Sequence, residues 1–213
     1  MKLGVLMLDT RFPRLPGDIG NPASFACDVD YEMVPRASVA RLAAPQPDPS
    51  LLGPFVDAGR ALISRGCDRI TTSCGFLVLW QGLLGKALAV PVLTSSLLLL
   101  PRLPEAGVLT FDPAALGAAH LAAAGARPDT PVEGLRPQDS LYRTIAEDRG
   151  DLDRASASAE VLAAGRRLLR LQPRIRSIVL ECTNFGPYRE ALALALGLPV
   201  HGIVEALTDP AFQ

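Results

Sequence analysis

Lysine is nearly absent from this 213-residue chain: only Lys2 and Lys86 occur, against nineteen arginines. A pyridoxal enzyme needs a lysine to form its Schiff base. Lys2 opens the first β-prone run and Lys86 ends an apolar segment far from any glycine-rich phosphate loop, which argues against that chemistry. A surplus of positive charge is missing too. The formal net charge is −1, so no basic surface points to nucleic acid. Long apolar runs are also lacking. Leu97–Leu100 is closed by Pro101, far short of the roughly 20 residues of a membrane span. The apolar start, Leu3–Leu8, is too brief for a secretory leader. No Cys-x-x-Cys pair exists and the two histidines lie far apart, which argues against zinc. Four irregularly spaced cysteines without a leader read as free thiols in a reducing cytoplasm. The remaining composition, 49% hydrophobic and 20% charged, suits a globular protein large enough for a real core.

Within that composition the chain repeats itself. Cys74 closes Arg69-Ile-Thr-Thr-Ser-Cys, and Cys182 closes Ser177-Ile-Val-Leu-Glu-Cys. Seventeen residues after each cysteine comes a Pro-Val pair, Pro91-Val92 and Pro199-Val200. Gly4-Val-Leu-Met-Leu-Asp9 is echoed by Gly107-Val-Leu-Thr-Phe-Asp112, and Ala58-Gly-Arg60 by Ala164-Gly-Arg166. An internal repeat of this kind predicts two similar α/β units, each with one thiol at the carboxyl end of a strand.

Element by element, the pattern predicts strands over Lys2–Leu8, Asp28–Val34, Arg69–Thr72 and Val90–Leu93 in the first half. Helices are expected from Asp48-Pro49 to Arg65 and over Phe76–Leu88, with a leucine turn capped by Ser95 and Ser96. The second half offers strands at Gly107–Thr110, Val132–Leu135, Ser177–Leu180 and Pro199–His201. Its helices are Pro113–Ala124, Ser140–Glu147, Arg154–Leu171 and Pro187–Leu196. Alternating strands and helices of this length imply parallel sheets. The lobes divide as 1–103 and 104–201.

In open α/β sheets ligands bind beyond the carboxyl ends of the strands, where Asp9, Cys74, Asp112 and Cys182 all fall. Each cysteine precedes a helix-like segment whose first amides would favour a thiolate and hold a carboxylate. Gly75 permits close backbone approach, and Thr72, Ser73, Thr183 and Asn184 offer short polar side chains. Two opposed thiols suit proton transfer on both faces of one carbon. Cys27 and Cys67 read as core residues, Asp112 as a cap and His120 as a surface residue. His201 is open between polarising a substrate and a structural role, and Trp80 and Phe76 between core and pocket wall. The loop Arg11–Ser24 reads either as a lid or as plain surface.

On the Leu8-Asp9 strand end and the motifs Thr72-Ser-Cys-Gly-Phe76 and Glu181-Cys-Thr-Asn184, the chain resembles the aspartate/glutamate racemase superfamily over nearly its whole length. That family also includes hydantoin racemases and maleate isomerases. The resemblance implies two flavodoxin-like lobes related by a pseudo-twofold axis, an active site between them and no cofactor. It further implies Cys74 and Cys182 as the acid/base pair, and residues 202–213 packed back on the first lobe. Amino-acid racemases of the family usually carry Asn-Thr after the first cysteine, where Gly75-Phe76 stands, and Cys-Thr-His or Cys-Thr-Glu where Asn184 stands.

The expectation is therefore a cofactor-independent racemase or epimerase, an isomerase acting beside a carboxylate or carbonyl. Asp9, Thr72, Ser73, Gly75, Phe76, Thr183 and Asn184 would line its substrate site. A decarboxylase or cis–trans isomerase of small diacids on the same scaffold is the alternative, and a binding protein that kept the cleft is a third. The expected partners are a small carboxylate-bearing substrate and, as an open option, a second copy of the chain. Nucleic acid and membrane are not expected.

Overall fold

The computed structural model describes residues 2–103 and 105–208. Eight strands form two parallel four-stranded sheets. The first holds β1 (Lys2–Leu8), β2 (Asp28–Val34), β3 (Arg69–Thr72) and β4 (Val92–Leu93), in the order β2-β1-β3-β4. The second holds β5 (Ala106–Thr110), β6 (Val132–Gly134), β7 (Ser177–Leu180) and β8 (Val200–His201), in the order β6-β5-β7-β8. The orders are the same pattern, so the duplication read from the sequence is a duplication of topology.

Eight helices cover the sheets: α1 (Val39–Leu42), α2 (Leu52–Ser64), α3 (Gln81–Ala87), α4 (Ala118–Ala123), α5 (Ser140–Ala146), α6 (Arg154–Leu171), α7 (Arg189–Leu196) and α8 (Ile203–Thr208). The longest, α6, turns Ala157, Val161, Ala164 and Leu168 into the core and starts on an Asp153 cap that accepts from Ala155 N and Ser156 N.

The repeated glycines mark equivalent close approaches. A side chain at Gly4 would strike Leu62 of α2 and Ile70, and one at Gly107 would strike Leu168 of α6 and Ile175. Gly59 of α2 meets Leu88, and Gly165 of α6 meets Leu196 and Leu192. Each half thus needs a bare strand under its long helix and a bare helix face under the next one. That need explains why Gly-Val-Leu and Ala-Gly-Arg recur.

Some elements differ from the sequence pattern. Each cysteine is followed by a six-residue 3-10 segment, Gly75–Trp80 or Thr183–Tyr188, before α3 or α7 begins. Pro187 lies inside the second segment and has no N–H for an α-helical bond. The helix expected from Pro113 starts only at Ala118, because Asp112 caps a turn at Ala114 and Gly117 is extended. α1 and α8 carry no strong periodicity and were not expected. α8 packs Ile203, Ala206 and Leu207 into a cluster with Leu3, Val5, Ile19, Leu93 and Leu99. Residues 209–213 lie outside the described residues.

Candidate active site

β3 and β7 occupy equivalent places in their sheets, and the chain leaves each at its carboxyl end toward the other lobe. Cys74 and Cys182 both follow from there, both are buried, and both line one cavity of about 30 Å³ between the lobes. Ser73, Gly75, Phe76, Thr183 and Asn184 line it as well. Larger cavities lie at the surface, and one of about 340 Å³ beside Phe25 and Cys27 holds none of these residues.

Hydrogen bonds fix the two cysteine loops to each other. Thr183 Oγ1 donates to the Ser73 carbonyl across the lobes at 3.1 Å, and Ser96 Oγ donates to the Leu180 carbonyl at 2.6 Å. Ser73 Oγ accepts from Leu8 N, so its hydroxyl braces the loop. Thr72 does not line the cavity. Its hydroxyl lies 2.8 Å from the Thr94 carbonyl and 3.0 Å from that of Cys74, which shapes the turn carrying the thiol. Asn184 sits 3.6 Å from Cys182 Sγ through Oδ1 and donates from Nδ2 to buried Asp18, itself paired with Arg14.

Asp9 is the residue that sequence position misplaced. It is exposed, and its carboxylate accepts from Arg36 N to cap a turn, so it takes no part in the cavity. His120 is a second correction. It is fully buried rather than on the surface, edge-on to Phe76 at 5.1 Å, with Nδ1 accepting from Gly117 N. Burial pushes its imidazole down, toward the neutral form. His201, at the end of β8, does not line the cavity.

The sequence reading missed Phe12, Phe111, Leu8, Val39, Ala43 and Ile145, which complete the wall. Its main omission was Glu181. This side chain is almost wholly buried, accepts from Thr110 Oγ1 at 2.6 Å and raises both thiols through its charge. A carboxylate placed at the end of an otherwise apolar strand, directly before the cysteine, was the signal that pointed to it.

The electrostatics overturn the expected low-pKa thiolate. Amides of Phe76 and Leu77 face Cys74 and that of Asn184 faces Cys182, and each favours the anion. Burial and then Glu181 outweigh them. Cys74 is pushed up to about 12 and Cys182 well above the ordinary thiol range. Burial also lifts Glu181, to about 7, against the Thr110 hydrogen bond. Among the described residues no group of three or more His, Cys, Asp or Glu is placed to hold a metal ion. No helix among them is long and apolar enough to cross a membrane.

Comparison with known proteins adds what geometry alone does not. No protein-family model matches the sequence. A dimethylsulfoniopropionate lyase from Durusdinium sp. clade D is 30% identical over 215 residues, covering 95% of this chain and 71% of that protein. The chain belongs to the dimethylsulfoniopropionate lyase family. Dimethylsulfoniopropionate lyases 7 and 3 of Emiliania huxleyi are 30% and 29% identical over 93% of this chain, which spans 62% and 56% of their lengths. The fold is the one that the resemblance implied, and solved structures of low sequence identity share it. An arylmalonate decarboxylase superposes with a TM-score of 0.64 at 18% identity, over 98% of this chain and 92% of its own. Allantoin racemase from Klebsiella pneumoniae gives 0.62 at 17% identity, over 97% and 87%. The lyase relatives correct the functional expectation: the racemase, and with it the isomerase class, is withdrawn, because the shared scaffold does not carry the shared reaction.

Proposed function

We propose that this chain cleaves dimethylsulfoniopropionate by β-elimination in the cavity between the lobes. One thiol of the Cys74/Cys182 pair, as thiolate, takes the proton from the carbon next to the carboxylate. The C–H electron pair becomes the carbon–carbon double bond. The bond from carbon to sulfur breaks with its pair going to sulfur, so dimethyl sulfide leaves and acrylate remains. Elimination removes one proton from one face, so it needs one base where racemisation needs two.

The observation that supports this reading is the chemistry of the wall. Two thiols and one carboxyl group face a largely apolar space, and no lysine or arginine among the described residues lines it. A sulfonium is a soft cation. Phe12, Phe76 and Phe111 bring aromatic rings to the wall, and the low dielectric makes cation–π contacts there count. The substrate carboxylate would meet Ser73, Gly75, Thr183 and Asn184. No step in this scheme calls for a cofactor. The four cysteines are unpaired, which fits a reducing cytoplasm.

The test is release of dimethyl sulfide, read in the headspace, with acrylate measured in solution. Replacing the thiol that serves as base, by Cys74→Ala or Cys182→Ala, is expected to lower turnover by about 10²–10⁴-fold. Full activity in both variants, or no dimethyl sulfide from the unaltered chain, would overturn the proposal.

A further inference from the structure

Glu181 has a place built for it. Its carboxyl group lies where a side chain at residue 75 would otherwise project: a Cβ added to Gly75 would meet the Glu181 carbonyl and stand 2.5 Å from Oε1. From the other side Thr110, at the end of β5, holds Oε2. The Glu181 N–H is spent on the Leu109 carbonyl at 2.8 Å, so the residue is fixed at both ends. The carboxyl is thereby set against Gly75, next to Cys74, from one lobe, and beside Cys182 in its own.

We propose that Glu181 is the proton acceptor that converts a thiol of this pair into the thiolate base. The step is balanced and runs through one water in the cavity that the three groups share: a thiol S–H bond breaks, an O–H bond forms on Glu181, and the negative charge moves from oxygen to sulfur. After the thiolate takes the substrate proton, Glu181 passes its own proton to water and the site is reset. Glu181 acts through the thiols and need not touch the substrate. The inference deepens the lyase reading and uses its reaction, but its first readout does not depend on it.

Three features support Glu181 in this role. The thiols are too weakly acidic to ionise unaided near neutrality, whereas Glu181, lifted to about 7, changes charge there. Its charge bears on both thiols. The other charged or titratable groups bearing on the pair are Arg14, which favours the Cys74 anion, and Asp18, which disfavours that of Cys182; Tyr188 lies near enough to be raised by Cys182. The shift of Glu181 itself comes from burial, with the Thr110 hydrogen bond opposing it.

The experiment follows thiolate ultraviolet absorbance against pH in the full chain and in Glu181→Gln, each referenced to its Cys74→Ala and Cys182→Ala counterparts. Removing the carboxylate should lower the thiolate midpoint by about 1 pH unit or more, because a like charge has gone. In parallel, turnover of dimethylsulfoniopropionate should fall by about 10²-fold or more, and its rise with pH near neutrality should vanish. Unmoved thiol midpoints, or an unchanged pH profile in an active variant, would overturn the inference. Should Glu181→Gln not fold, Thr110→Val serves. It keeps the carboxyl but removes the bond that favours its anion, so the rise should move to higher pH, and an unmoved rise would overturn the inference. A chain that shows the thiol shift yet releases no dimethyl sulfide would sink the lyase reading and leave the Glu181 pairing standing.

Discussion

Gly75 shows how much one missing side chain decides. With φ in an ordinary range, it is needed for space rather than for backbone freedom, since the Glu181 backbone and carboxyl occupy the place of its Cβ. Gly75→Ala therefore strikes the Glu181 backbone as well as its carboxyl. It should cost about 1–3 kcal/mol in urea unfolding, as overpacking does, and lower turnover through a displaced Glu181. Loss of turnover without loss of stability would mean that Glu181 moved and the lobes did not. The site was partly legible at this scale. The paired cysteines and their neighbours Ser73, Gly75, Phe76, Thr183 and Asn184 were visible because each motif repeats at the same strand end. Phe12, Phe111 and Ile145 were not, because they reach the cavity only after the lobes dock, and no local pattern records docking. Asp9 misled because a strand-end position is shared by residues that face a ligand and residues that cap a turn.

Among the elements, β1, β5 and β7 matched the expectation because each is a short apolar run buried along nearly its whole length, and α6 because its buried residues recur at helical spacing, whereas the segments after the cysteines did not. Those segments are buried nearly all round and tighten into 3-10 turns, which no apolar pattern distinguishes from α-helix. The α6 start is governed by one side chain. Asp153→Ala removes an acceptor for two amides and should cost about 1 kcal/mol in chemical denaturation. The loop Arg11–Ser24 is tied across to the second lobe, not left on the surface. Arg11 N donates to Asp148 at 2.6 Å, Asn184 donates to Asp18 at 2.9 Å, and Gly17 abuts Gly186 and Pro187. Cys74 and Cys182 are both buried, so a substrate reaches them only when something moves, and this loop carries Phe12 of the cavity wall. Asp148 has φ of 51°, so Asp148→Gly relieves the backbone while cutting the tie. Hydrogen exchange within 11–24 should then quicken while global stability changes little; unchanged exchange would place the opening elsewhere.

For the whole molecule, the buried carboxyl at the centre has a thermodynamic consequence. Glu181 ionises near 4.5 when unfolded but only near 7 when folded. Its folded pKa is raised, so its contribution is fully present below about pH 4.5 and is lost as pH climbs through 7. The loss amounts to about 3 kcal/mol at most. Unfolding free energy of the unaltered chain should therefore decline between those values relative to Glu181→Gln, and parallel curves for the two proteins would refute the assignment. The fold at this scale was legible because two topologically equal sheets repeat their glycines and cysteines in order. The return of α8 to the first sheet was legible only through the family resemblance, which placed residues 202–213 on the first lobe, and it bears on how the protein is made. Leu3 and Val5 are synthesised well before Ile203, Ala206 and Leu207, yet those residues belong to the surface that shields them. The half synthesised earlier is thus sealed only after the later one, and this part of its core must wait, uncovered, until α8 has been made.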